Sequence, residues 1–155
     1  MESNYTDTSD GRTERDTKED AGATVAFVCV QNAGRSQMAT AFAQREREGR
    51  NLDIEILSGG THPADHVHAI VVEVMAERGI DLSNRTPRQI SPDELRTRDQ
   101  VVTMGCSTLT LDTARVRVHN WDLDDPHGKD IAVVRNIRDD IERRVIALLE
   151  QITRY

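Results

Sequence analysis

Thr24-Val25-Ala26-Phe27-Val28-Cys29-Val30-Gln31-Asn32-Ala33-Gly34-Arg35-Ser36-Gln37-Met38-Ala39 is the stretch that decides the fold. Its first five residues are an apolar run bounded by turn formers, the pattern of a buried strand. From Gln37 to Glu46 the residues are good helix formers. The unit is therefore strand, tight loop, helix, with a thiol at 29 and a guanidinium at 35. In such a loop the backbone N–H groups of Val30, Gln31, Asn32, Ala33, Gly34, Arg35 and Ser36 can converge on one point, and the helix N-terminus adds its positive dipole end. That point suits a tetrahedral oxyanion, two of whose oxygens Arg35 could clamp. The same positive field favours the thiolate of Cys29, the reactive form, and the Ser36 hydroxyl can donate to it. A nucleophile inside an anion cradle suggests attack on phosphorus or an element that resembles it.

Composition narrows the setting. The 155 residues suit one domain with a real core; 37% are apolar and 30% charged, as in a soluble protein. No apolar run is long enough for a membrane span and none near residue 1 resembles a signal peptide, so a cytoplasmic protein is expected. The net charge of −7 argues against nucleic acid or anionic membranes as partners. It also repels anionic substrates at long range, so local donors must hold them. Lysine occurs only at 18 and 129, a low-lysine composition shared by salt-adapted proteins and those of GC-rich genomes. The two cysteines, Cys29 and Cys106, could form a structural disulfide; an intracellular chain favours reactive thiols.

Residues 1–22 lack a periodic apolar face and read as a disordered polar tail, a solubilising extension ahead of one domain over 23–155. Within that domain the first strand covers 24–29 and the first helix 36–48, stopped by Gly49. Asp53 to Ser58 reads as a strand. Asp65 is a plausible N-cap for a helix over 66–78 whose apolar face holds Val67, Ile70, Val71, Val74 and Met75. Ser91-Pro92-Asp93-Glu94-Leu95 has the capping-box spacing of a short helix. A strand follows over 99–104, a loop or short helix over 107–115, a strand over 117–121, and a helix over 130–153 striped by Ile131, Val134, Ile137, Ile141, Val145, Leu148, Leu149 and Ile152. Alternating strands and helices imply an α/β fold with a parallel sheet, whose ligands bind at the carboxyl ends of strands. Cys29, Cys106 and the loop after the last strand all fall just beyond strand ends.

The spacing Cys-x5-Arg-Ser between strand and helix resembles the low-molecular-weight protein tyrosine phosphatase superfamily. Val28 to Ala39 is more similar to its thiol-dependent arsenate reductases. The resemblance runs from about residue 23 to 155 and implies a three-layer sandwich around a four-stranded parallel sheet. It implies that Cys29 is the nucleophile, that the loop from Val30 to Ser36 binds the oxyanion with Arg35, and that the Asp before Pro in the late loop, here Asp125, is the general acid. An acid in that role must keep its proton, through burial or nearby negative charge such as Asp124. Val101-Val102-Thr103-Met104-Gly105-Cys106 resembles the stretch before the resolving cysteine of the reductases, which makes Cys106 a candidate for attack on an arsenylated Cys29. Many thioredoxin-coupled members carry a further cysteine a few residues later; here Ser107, Thr108, Leu109 and Thr110 follow. Reduction would then run through a Cys29–Cys106 disulfide reduced by thioredoxin, or through a low-molecular-weight thiol acting on the Cys29 adduct.

The expected function is therefore arsenate reduction to arsenite, with an external thiol reductant and no bound cofactor. The alternative is phosphomonoester hydrolysis through a phospho-cysteine on the same Cys29, Arg35 and Asp125. Phosphotyrosine needs apolar walls. The resembling phosphatases carry aromatics after the Asp-Pro, where this chain has His127-Gly128, so a small inorganic oxyanion fits better. His62, Asp65, His66 and His68 could suggest a metal site, but Pro63 interrupts the helical spacing and they read as surface residues; no metal is expected.

Overall fold

A computed structural model describes residues 22–105 and 116–153. The expected tail up to residue 21, Cys106 and the expected loop or short helix over 107–115 lie outside the described residues.

The chain opens with β1 (Ala23–Cys29), buried from Thr24 onward. The apolar run explains why: both faces of this strand are covered. Val25, Phe27 and Cys29 point into the larger core cluster, Ala26 and Val28 into the smaller one on the opposite face. The helix α1 (Arg35–Arg50) follows the loop and lays Met38, Ala39 and Phe42 on the larger cluster. Burying Phe27 or Phe42 fully contributes roughly 1.5–3 kcal/mol each. The sequence predicts a stop at Gly49, but Gly49 lies inside the helix, and the stop is Asn51, whose φ of 55° is left-handed. Asparagine tolerates that conformation, and it lets the Asn51 and Leu52 N–H groups close on the Arg47 carbonyl.

The chain continues through β2 (Ile54–Gly60), α2 (Ala69–Ala76), α3 (Pro92–Arg96), β3 (Gln100–Met104), β4 (Arg117–Asn120) and α4 (Ile131–Ile152). The four strands form one parallel sheet in the order β2-β1-β3-β4. α1, α2 and α4 contribute to the larger cluster on one face; Leu95 of α3, with Ile90 and Val116, covers the other. The result is the expected three-layer sandwich. α3 begins with the capping box read from sequence: Ser91 Oγ accepts from the Glu94 N–H at 3.2 Å, and Glu94 Oε1 accepts from the Ser91 N–H at 3.0 Å.

Two boundaries differ from expectation for tertiary reasons. β2 runs two residues past Ser58, because Gly59 and Gly60 allow close approach. A Cβ on Gly59 would lie 2.4 Å from that of Ile90, and one on Gly60 2.6 Å from the Val30 oxygen. α2 starts at Ala69, not 66, and its N-cap is His68, not Asp65. Its apolar face is as expected, with Val71, Val74 and Met75 buried.

The order places β2 on one side of β1 and β3 on the other, with Cys29 level with Gly60 and Met104. The carboxyl end of β1 is thus the point where the winding of the sheet reverses, the place such sheets bind ligands.

Candidate active site

The loop between β1 and α1 is held open by its surroundings. The carbonyls of Cys29, Val30, Gln31 and Ala33 accept from the N–H groups of Thr61, His62, Ala64 and His68 at 2.7–3.2 Å. The Asn32 carbonyl accepts from Gln37 Nε2 at 3.1 Å, and the Gly34 carbonyl from the Met38 N–H at 3.0 Å. In a trans peptide the C=O and the following N–H point in opposite directions. Carbonyls drawn out to neighbouring segments therefore turn the N–H groups of Val30 to Arg35 to the other side of the loop. The N-cap of α1, Gly34, makes no side-chain cap, and the first turn carries no acid. A buried helix start left uncapped in this way is ready for an anion.

Asn32 is the hub of the loop. It is buried and holds a left-handed φ of 52°. Its Oδ1 accepts from the Arg88 main-chain N–H and from Gln37 Nε2, both at 3.1 Å. A main-chain N–H can only donate, so this contact fixes which end of the amide is oxygen. The Nδ2 group then donates to Ser58 Oγ at 2.8 Å and to Ser36 Oγ at 2.7 Å. Ser36 Oγ, accepting there, lies 2.8 Å from Cys29 Sγ with its own proton still to give. The hydroxyl can donate to the sulfur when Cys29 is a thiolate and accept from it when Cys29 is a thiol. Cys29 is a free, buried thiol.

Arg35 is buried at the start of α1. Its Nη1 donates to the Leu123 carbonyl at 3.1 Å, and its Nη2 lies 3.9 Å from Asp125 Oδ2. The guanidinium rests on Gly105, the residue after β3. A Cβ there would lie 2.5 Å from Nη1, and the backbone holds a φ of 79°. The positive φ favours glycine, and any side chain there would displace the guanidinium.

Cys29, Val30, Gln31, Gly34, Arg35, Gly105 and Asp125 line one cleft of about 230 Å³. The structure thus brings together Cys29, Arg35 and Asp125 from three separate segments. Asp125 is exposed, and its Oδ1 accepts from the His127 N–H at 3.0 Å. The cleft has an eighth lining residue that sequence reasoning had left on the surface: His68. Its Nε2 lies 3.1 Å from Gln31 Oε1 and its ring faces that of His127 at 4.8 Å. Burial pushes the His68 imidazole below its ordinary value; His127 adds to this and Asp125 opposes it. No local pattern in the sequence marks it, because its place in the cleft depends on the distant Gln31 and His127. Among the described residues no group of three or more metal-ligating side chains converges, so His62, Asp65, His66 and His68 form no metal cluster.

A family model described as low molecular weight phosphotyrosine protein phosphatase matches residues 24–155. A protein of Halobacterium salinarum named "Putative arsenate reductase" is 65% identical over 127 residues, 81% of this chain and 89% of that one. One of Synechocystis named "Glutaredoxin arsenate reductase" is 33% identical, covering 83% and 98%. Among solved structures, a Corynebacterium glutamicum thioredoxin-dependent arsenate reductase superposes with a TM-score of 0.70 at 32% identity. That match covers 84% of this chain and 62% of the other, so this chain spans about three fifths of it.

Proposed function

The chain belongs to the low molecular weight phosphotyrosine protein phosphatase family, and from that premise we propose that it is an arsenate reductase working through a covalent adduct on Cys29. The observation that carries the mechanism is the Cys29 sulfur, buried, with the Ser36 hydroxyl 2.8 Å away and Arg35 lining the same cleft. Arsenate sits on the loop amides and the Arg35 guanidinium. The Cys29 thiolate forms an S–As bond as one As–O bond breaks, and Asp125 supplies the proton with which that oxygen leaves as water. A second thiolate then attacks the Cys29 sulfur. An S–S bond forms, the electron pair of the S–As bond stays on arsenic, and As(V) departs as arsenite, As(III). The disulfide holds the two oxidising equivalents until an external thiol reduces it.

The second thiolate is Cys106, the residue after Gly105, or a low-molecular-weight thiol. The donor class is a thioredoxin-like dithiol protein or such a small thiol, in keeping with relatives named for glutaredoxin and thioredoxin. Phosphoester hydrolysis would use the same Cys29, Arg35 and Asp125. No Phe, Tyr or Trp is among the described residues lining the cleft, which disfavours an aryl ester. No helix among the described residues is long and apolar enough to cross a membrane.

The test is a parallel assay of arsenite formation from arsenate plus thiols and of aryl phosphate hydrolysis. Arsenite formation that disappears in Cys29→Ser supports the reading. Rapid aryl phosphate turnover without arsenite overturns it. Cys106→Ser decides the second step: loss of turnover with thioredoxin assigns it to Cys106, and retention assigns it to an external thiol.

A further inference from the structure

Asp125 has few anchors of its own. Its carboxyl meets the His127 N–H at 3.0 Å and Arg35 Nη2 at 3.9 Å, and more than half of its side chain is exposed, 55%. The segment that carries it leans on other elements. Pro126 packs on Gly34, where a Cβ would come within 2.9 Å of Pro126 Cγ. The His127 ring faces that of His68 with centroids 4.8 Å apart and planes at 45°. His68 in turn is fixed from the opposite side. Its main-chain N–H donates to the Ala33 carbonyl at 2.9 Å, and its carbonyl accepts from Val71 and Val72 at 2.9 and 3.1 Å. Its Nε2 lies 3.1 Å from Gln31 Oε1, a hydrogen bond in which the ring donates when the proton is on Nε2. A line of contacts thus runs Gln31, His68, His127, Asp125. It links the anion-binding loop to the proton donor without using the covalent chain between them. The mechanism above makes no use of His68.

We propose that His68 is a positioning residue for arsenate reduction: its ring, tied to the anion-binding loop through Gln31, holds His127 and through the His127 main-chain amide sets the Asp125 carboxyl over that loop. The inference rests on Asp125 being the proton donor. It carries a pH dependence. With both rings neutral the contact is attractive; with both protonated, two cations face each other at 4.8 Å and repel. The charged groups facing the pair are Asp125 on the same segment as His127, Arg35 from α1 and the Cys29 sulfur at the end of β1, all at the cleft His68 lines. Asp125 and a Cys29 thiolate favour protonation of the pair and Arg35 disfavours it. Burial keeps His68 neutral at neutral pH, so the contact is lost on the acid side.

Two variants and one spectroscopic titration test this. His68→Ala removes the ring; kcat for arsenate is expected to fall about tenfold while KM stays within about twofold, because only the proton donor is displaced. His68→Phe keeps a ring without the charge but loses the Gln31 contact; kcat at about pH 8 falls less than in His68→Ala, and its further fall toward about pH 5.5 is shallower than in the wild type. Independently of any substrate, the His127 main-chain amide resonance in 15N-labelled wild-type protein should follow the titration of the His68 ring. An unchanged kcat in His68→Ala, a rise in KM in place of the fall in kcat, or a His127 amide resonance that does not follow the His68 ring overturns the proposal. If the wild type makes no arsenite, the arsenate reductase reading fails, and the amide titration still decides the contact.

Discussion

Ser36 Oγ lies 2.8 Å from Cys29 Sγ and accepts from Asn32 Nδ2 at 2.7 Å, which leaves its one proton available to a thiolate at that sulfur. The sulfur's hydroxyl donor is thus set by a residue four positions earlier in the same loop, and that residue is itself set by the Arg88 main chain.

Ser36→Ala removes this donor and leaves the Asn32 amide short of an acceptor. A hydrogen bond to a charged group contributes about 1.5–3 kcal/mol, so reactivity should fall by roughly ten- to a hundredfold. The rate of Cys29 alkylation by iodoacetamide at fixed pH checks this directly, and kcat/KM for arsenate should fall in parallel.

Gly105→Ala places a Cβ where Arg35 Nη1 is only 2.5 Å away. The guanidinium must move, and the positive φ adds strain of about 1–2 kcal/mol. The expected result is a lower Tm together with a KM for arsenate raised by about tenfold or more, the loss of one charge-assisted clamp. Competitive inhibition by phosphate should weaken by the same factor, and Arg35→Lys should move KM in the same direction without the fall in Tm.

Asp125→Asn retains an oxygen to accept from the His127 N–H, so the loop keeps its place. What is lost is the proton. A positioned general acid is worth roughly 10²–10⁴ in rate, so kcat should drop by that order with KM little changed. An equal loss in KM alone would mean that the residue binds substrate and does not donate to it.

Glu77 lies between Arg135 and Arg138, whose hydrogen bonds at 2.7–3.1 Å hold its carboxyl down at about 2. A carboxylate depressed in the folded state stabilises it above the unfolded value, and that stability is lost as pH falls from there through the folded value. Wild-type Tm should therefore decline between about pH 4.5 and 2. Glu77→Gln should melt lower at neutral pH, with a flatter acid limb that converges on the wild type near the acid end.

The central unit was legible in sequence because its signals are local. An apolar run, a thiol, six further residues to an arginine-serine pair and a run of helix formers need no distant information. The capping box of α3 is legible for the same reason: Ser91, Pro92 and Glu94 satisfy each other. The start of α2 was not legible. The Thr61, His62, Ala64 and His68 N–H groups are claimed by carbonyls of the loop between β1 and α1, which keeps that segment out of helix until Ala69. Nothing within residues 61–68 states that demand. The role of His68 as a cleft wall was hidden likewise, since it depends on Gln31 and His127, 37 positions before it and 59 after it. The place of Asp125 beside Arg35 was reached from family resemblance; the spacing between the two residues carries no local pattern.

Cys29 is the last residue of a strand paired on both sides, level with Gly60 and Met104. Its main chain is held between two neighbouring strands and its sulfur is buried. In a reaction that must pass a bond from sulfur to arsenic and then from sulfur to sulfur, the first atom is the anvil. All travelling falls to the second thiol, and the speed of turnover should be governed by how that visitor reaches the bowl.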